Sequence, residues 1–304
     1  MHQRYLPIVL LFLFVSGVAT AAPRVVVSLV PIHSLVAGVM EGVGEPELLI
    51  HGGESPHSFS LRPSQAHTLQ GAQLVVWVGP DLEVTLEKSI ATLATEARVI
   101  TLAQEGRIEP LPLREGGKWD AHDHGASEGH SHGADQHIWL SPRNGGRIVR
   151  IMMDELSRLD PTNKTRYRKN AQALLNKLAR QDKELKSELA EVNAIPYMVF
   201  HDAYQYFEVH YDLKAIGSIT VSPEQTPGAK RLSELRRKIR NLEVRCIFSE
   251  PQFEPRLVDM LIEGSNAKSG VLDPLGAELT PGPEAYFKLL HNLASSLTQC
   301  LSQQ

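Results

Sequence analysis

"DPTNKTRYRKNAQALLNKLARQDKELKSELAEVN", residues 160–193, contains no glycine, and its one proline stands at the second position. Asp160 suits an N-cap, Pro161 suits the first helical position, and Pro196 enforces a stop soon after the end. Tyr167, Leu174, Leu178, Leu185, Leu189 and Val192 recur at three-, four- and seven-residue spacings, which places them on one stripe. The pattern predicts a single helix over 160–194, roughly 50 Å long at 1.5 Å per residue. One long helix is stiffer than two or three extended strands, so it reads as a rigid strut joining two units with little hinge closure between them. A solvent-exposed coiled-coil or antiparallel helix is the plainer alternative for such a pattern.

On either side of the strut the chain repeats one plan. "VVVSLV" (25–30), "ELLI" (47–50), "LVVWV" (74–78) and "RVIT" (98–101) are short apolar runs rich in β-branched residues, as buried strands are. Helical patterns such as "IHSLVAGVMEGV" and "DLEVTLEKSIATLATEA" lie between them. After the strut, "YMVF" (197–200), "LKAIG" (213–217), "VRCIF" (244–248) and "SGVLD" (269–273) alternate with "AKRLSELRRKIRN", "PRLVDMLIEG" and "PEAYFKLLHNLASSLTQC". Alternating strands and helices imply parallel sheets with right-handed crossovers. The expected fold class is therefore α/β: two lobes, 23–159 and 195–304, each a four-stranded parallel sheet flanked by helices, joined by one long rigid helix at 160–194.

Arg4, the apolar run Leu6 to Val15 and Ala19-Thr20-Ala21 read as a secretory signal peptide over 1–22. No later run of about 18 apolar residues suggests a membrane span. The only cysteines are Cys246 and Cys300, so no lipobox follows the apolar run, and a free periplasmic protein is expected. In an oxidising compartment the two cysteines favour one disulfide over two buried thiols. The chain has 31 basic and 35 acidic residues, and removal of Arg4 with the leader deepens the negative balance. Nothing there points to nucleic acid.

Thirteen histidines carry the chemistry. Ligands of open α/β sheets collect beyond the carboxyl ends of strands. His57 sits in a Gly/Pro-rich loop after "ELLI", His137 precedes "IWL", and His201 follows "YMVF" directly. Drawn from both lobes, these three can converge on a crevice and bind Zn²⁺, which favours four-coordination by neutral imidazole. The fourth position is open to Glu54, Asp273 or water, and Asp202 is a candidate to orient an imidazole from behind. His33 and His51 face the same sheet edge as possible supporting groups. His67, His210 and His291 fall in helical segments and read as ordinary surface or core residues.

"GGESPHSFSLRPSQAHTLQGAQLVVWVGPDLE", "HIWLSPRN", "FHDAYQYF", "CIFSEPQF" and "LDPLG", in this order around one long helix, resemble the metal-binding proteins of high-affinity zinc and manganese ABC importers. The resemblance covers essentially the whole mature chain and is nearest to the zinc-binding periplasmic members. It implies a two-lobed solute-binding fold, Zn²⁺ held between the lobes by His57, His137 and His201, and delivery to a membrane permease driven by a cytoplasmic ATPase. The Cys246 and Cys300 pair matches a disulfide of zinc members. Two departures leave the fourth ligand open: Ser141 stands where many members have Asp, and Pro56 where a carboxylate often precedes the first histidine.

His122, His124, His130 and His132 lie in a Gly/Ser/Asp-rich loop, 115–136, that cannot build a core. They are expected to gather a second Zn²⁺ more weakly than the main site, because ordering the loop costs entropy; incidental binding is the alternative. Three histidines and a water also form a catalytic zinc arrangement, with Glu54 as its base, but no HExxH signature is present. The expectation is a monomeric binding protein and not an enzyme. A metal-dependent adhesin or a zinc buffer without a transporter are the remaining rivals, and the missing lipobox speaks against the first.

Overall fold

The computed structural model describes residues 21–114, 133–220, 223 and 227–303. Residues 1–20 of the expected signal peptide and the loop histidines His122, His124, His130 and His132 lie outside the described residues. The first sheet is built from β1 (Val25–Leu29), β2 (Glu47–Ile50), β3 (Leu74–Trp77) and β4 (Arg98–Thr101), with α1 (Val30–Met40), α2 (Pro63–Gly71) and α3 (Val84–Leu93) between them. Helices α4 (Pro142–Leu159) and α5 (Lys164–Leu189) follow. The second sheet comprises β5 (Tyr197–Val199), β6 (Ala215–Ser218), β7 (Cys246–Ser249) and β8 (Lys268–Val271), with α6 (Gln205–Tyr211), α7 (Ala229–Asn241), α8 (Arg256–Ile262) and the closing α9 (Ala285–Leu301).

Both sheets are parallel and share one topology, β2-β1-β3-β4 and β6-β5-β7-β8. The central strands β1, β3, β5 and β7 are buried throughout, which is why they read as unbroken apolar runs. In each lobe the strand order reverses beside the first strand, opening a crevice at the carboxyl edge.

Helix α5 joins the lobes, and Tyr167, Leu174, Leu178, Leu185 and Leu189 form its buried stripe. It has 26 residues, about 39 Å, and is shorter than the periodicity implies. Asp160 does cap a turn, accepting from the Asn163 amide, but that turn is a 3₁₀ segment, Pro161–Asn163, ahead of the regular helix. Val192 remains buried in the turns that follow it.

Helix α4, absent from the sequence reading, packs along α5. Its Pro142, Gly145 and Gly146 look like loop residues, yet Ile148, Ile151, Met152 and Leu156 form a buried face. Ser141 is its N-cap, accepting from the Asn144 amide. Gly145 is required by contact: a Cβ there would lie 2.4 Å from the Tyr286 hydroxyl.

A single apolar core runs from β1 and β3 through α4, α5 and α9 to Tyr197, Phe248 and Leu272 of the second lobe. A smaller cluster under α7 and α8 belongs to the second lobe alone. Polar contacts cross the same boundary: Trp139 Nε1 donates to the Pro274 carbonyl at 2.8 Å, and the Tyr286 hydroxyl donates to the Trp139 carbonyl at 2.7 Å. Cys246 and Cys300 form a disulfide between β7 and α9. Closing a loop of 54 residues contributes about 4 kcal/mol on the chain-entropy account. Separating the lobes would therefore expose continuous core, which favours a preformed crevice. Among the described residues no helix is long and apolar enough to cross a membrane.

Candidate metal centre

The carboxyl edges of the two sheets bring His57, His137 and His201 together, with one imidazole nitrogen of each lying within 4.8 Å of the others. His201 stands at the end of β5, and Glu250 stands at the end of β7, its neighbour across the reversal of strand order. His137 opens the short turn Ile138–Leu140 that leads into α4. His57 comes from the loop after β2. Among the described residues this is the one cluster of metal-ligating side chains with such convergence.

Two of the rings are backed by carboxylates. His137 Nδ1 donates to Asp135 Oδ1 at 2.8 Å, and the same oxygen accepts the His137 amide at 2.9 Å. His201 Nδ1 donates to Glu250 Oε1 at 2.7 Å. A proton held on Nδ1 by the carboxylate leaves the Nε2 lone pair available to a metal. The two Nε2 atoms face one another at 3.4 Å, and both rings are buried, at 8% and 5% exposure. Nitrogens at 2.0–2.1 Å from a tetrahedral ion lie about 3.3 Å apart, so the pair has the spacing that Zn²⁺ requires. The His57 imidazole is held well below its usual pKa, first by burial and then by repulsion from His201 and His137, so its neutral, ligating form prevails at neutral pH.

Asp135 and Glu250 were not singled out by the sequence reading. Their signals were slight: an acid two residues before His137, and an acid ending an apolar strand. Asp202, a candidate to orient an imidazole, instead forms an ion pair with Arg114. Neither carboxylate offered for a fourth position joins the cluster. Glu54 pairs with Arg62 and accepts the His51 amide at 3.2 Å. Asp273 accepts the amides of Leu275, Gly276 and Ala277. The turn it shapes supports the His57 loop, because Gly52 packs so closely on the Ala277 carbonyl that a Cβ would overlap it. His33 lies outside the cluster, its Nε2 donating to the Pro46 carbonyl at 2.9 Å, and His210 pairs with Asp182.

The family model for ZnuA, described as the periplasmic component A of the zinc-uptake complex, matches residues 25–300. A high-affinity zinc uptake system protein ZnuA from Brucella suis is 43% identical over 315 residues, covering 95% of this chain and 94% of that relative. The protein of the same description from Yersinia pestis is 36% identical, with 92% of each chain covered. Among solved structures, a crystal structure of ZnuA superposes with a TM-score of 0.79 at 26% identity, spanning 92% of this chain and 99% of that one. A zinc-bound ZnuA deletion mutant gives 0.77 at the same identity, spanning 93% and 99%. The match over residues 25–300 spans both sheets and the connecting helix, and the chain belongs to the ZnuA family of zinc-uptake proteins.

Proposed function

We propose that this protein captures Zn²⁺ in the periplasm through His57, His137 and His201 and hands it to an ABC permease powered by a cytoplasmic ATPase. The observation that carries the ligand assignment is the pair of Nε2 atoms facing at 3.4 Å, each on a ring fixed by a buried carboxylate. The ion is cargo. His137 and His201, each fixed by a carboxylate, lose little conformational entropy on binding it, and water fills the fourth position, since Glu54 and Asp273 are held by other groups. A catalytic zinc needs a free general base beside its water. Asp135 and Glu250 are engaged with the imidazoles, which supports a carrier and not an enzyme. The loop histidines His122, His124, His130 and His132 would add weaker zinc capacity near this site.

Competitive Zn²⁺ titration against a chelator of known affinity, on the mature chain and on His57→Ala, tests the assignment. The expected result is one tight Zn²⁺ in the parent, with any further metal bound more weakly, and loss of the tight one in the variant. A tight site that survives the substitution moves the main site elsewhere, to the histidine-rich loop first.

A further inference from the structure

Residues 111–114 and 133–135 form a short antiparallel stem: Leu113 N donates to the Gly133 carbonyl at 2.9 Å, Asp135 N donates to the Leu111 carbonyl at 2.8 Å, and Pro112 bridges Ala134. The stem comes from the first half of the chain, but its fastenings are in the second lobe. The Tyr206 hydroxyl on α6 touches both of its strands, accepting the Leu111 amide at 2.9 Å and donating to the Asp135 carbonyl at 2.8 Å. Arg114 forks onto both carboxylate oxygens of Asp202 and reaches Glu208 on α6. The three charged side chains are 17%, 6% and 4% exposed. Glu208 also accepts from the Tyr197 hydroxyl at 3.3 Å.

This network ends at the metal centre from two sides. Asp135 fixes the ring of His137, and Asp202 is bonded in sequence to His201. A buried ion pair is weak evidence for stability, because desolvation offsets much of its attraction. A planar bidentate fork does fix geometry, however, and here it fixes two ligand-bearing segments against each other. We propose that Arg114 and Tyr206 are positioning residues of the zinc site, holding the Asp135–His137 segment at a set distance from the Asp202–His201 segment so that zinc, once bound, leaves slowly. The inference rests on the zinc-binding reading above.

The test uses the mature full-length chain with Tyr206→Phe, which keeps the ring and removes the bridging hydroxyl, and Arg114→Lys, which keeps a charge and removes the fork. Arg114→Lys also guards against the misfolding that an uncharged residue beside two buried carboxylates would invite. Zinc stoichiometry, stopped-flow association and chelator-driven dissociation would be measured, together with the visible spectrum of the Co²⁺-loaded protein and the melting temperature of the metal-free form. The expected result is unchanged stoichiometry, association within about twofold, dissociation accelerated roughly tenfold or more, and a shifted Co²⁺ band in both variants. Parent-like dissociation and spectra in both variants overturn the proposal, including the case where only the melting temperature falls. If the parent itself takes up no tight zinc, the functional reading fails and the positioning role falls with it.

Discussion

Each lobe carries a buried glutamate between its third strand and the following helix, Glu83 just before α3 and Glu250 directly after β7, and uses it differently. In the first lobe Glu83 accepts the amides of Val78 and Gly79 at 2.8 and 3.0 Å and so shapes the turn after β3. In the second lobe Glu250 binds His201 Nδ1 after β7. The first lobe's proposed ligand from its strand loop, His57, is half-buried and has its backbone amide on Ser55 Oγ at 3.3 Å. Its loop is held by Glu54 pairing with Arg62, and among the described residues no carboxylate bonds its ring. The difference teaches that one topology can supply a fixed ligand or an adjustable one, according to where a single buried acid is directed. His137 and His201 make the fixed half of the site. On the zinc-binding proposal, His57, half-buried, makes the adjustable half.

Ligand removal gives the largest effect and tests this division. His57→Ala and His201→Ala should both lose tight zinc, by more than the roughly 10–100-fold typical of supporting groups. The metal-free forms should differ. Removing His201 takes the imidazole donor from the buried Glu250 carboxylate and should cost about 1–3 kcal/mol, read by denaturant unfolding, whereas removing His57 should cost less. Equal destabilisation by the two would erase the distinction between fixed and adjustable halves.

Next in size are the supporting acids. Glu250→Gln and Asp135→Asn keep shape and lose charge, so the Nδ1 proton is no longer drawn to a carboxylate and ligand basicity falls. A loss of about 10–100-fold in zinc affinity is expected in competition titrations. An unchanged affinity would mean that the rings are oriented by packing, for instance His137 against Trp139 at 5.4 Å between centroids, and not by the acids.

Much of this was legible in the sequence, for physical reasons that particular residues display. The central strands are covered on both faces, so "VVVSLV" and "LVVW" appear as unbroken apolar runs, and a parallel sheet places loop residues such as His201 at the crevice by topology alone. Helix α4 was hidden because its first turn carries Pro142, Gly145 and Gly146, chosen for a cap and for close contact with Tyr286, not for helix propensity. Asp202 was misplaced for a related reason: adjacency to His201 in sequence suggests a partner, but successive side chains diverge, and Arg114, distant in the chain, takes the carboxylate. Glu250 reaches His201 only through the pairing of β5 with β7, which no local pattern encodes.

The smallest effect on zinc, and the sharpest test of the lobe comparison, is expected from Glu83. Burial raises its carboxyl pKa to about 7, outweighing the hydrogen bonds that favour the charged form. The unfolded chain releases this proton near pH 4.5, while the folded protein keeps it until about 7. The folded state therefore binds more protons in that window, and stability declines as pH rises through it, by about 3 kcal/mol in all. Glu83→Gln cannot ionise, so the metal-free variant should lose that part of the decline when unfolding is followed from pH 4.5 to 8. Zinc affinity should stay within about twofold of the parent, because the first-lobe acid serves its own backbone. A zinc defect in Glu83→Gln as large as that of Glu250→Gln would show that the turn after β3 sets the His57 loop as firmly as Glu250 sets His201, and the asymmetry between the halves of the site would then be one of exposure alone.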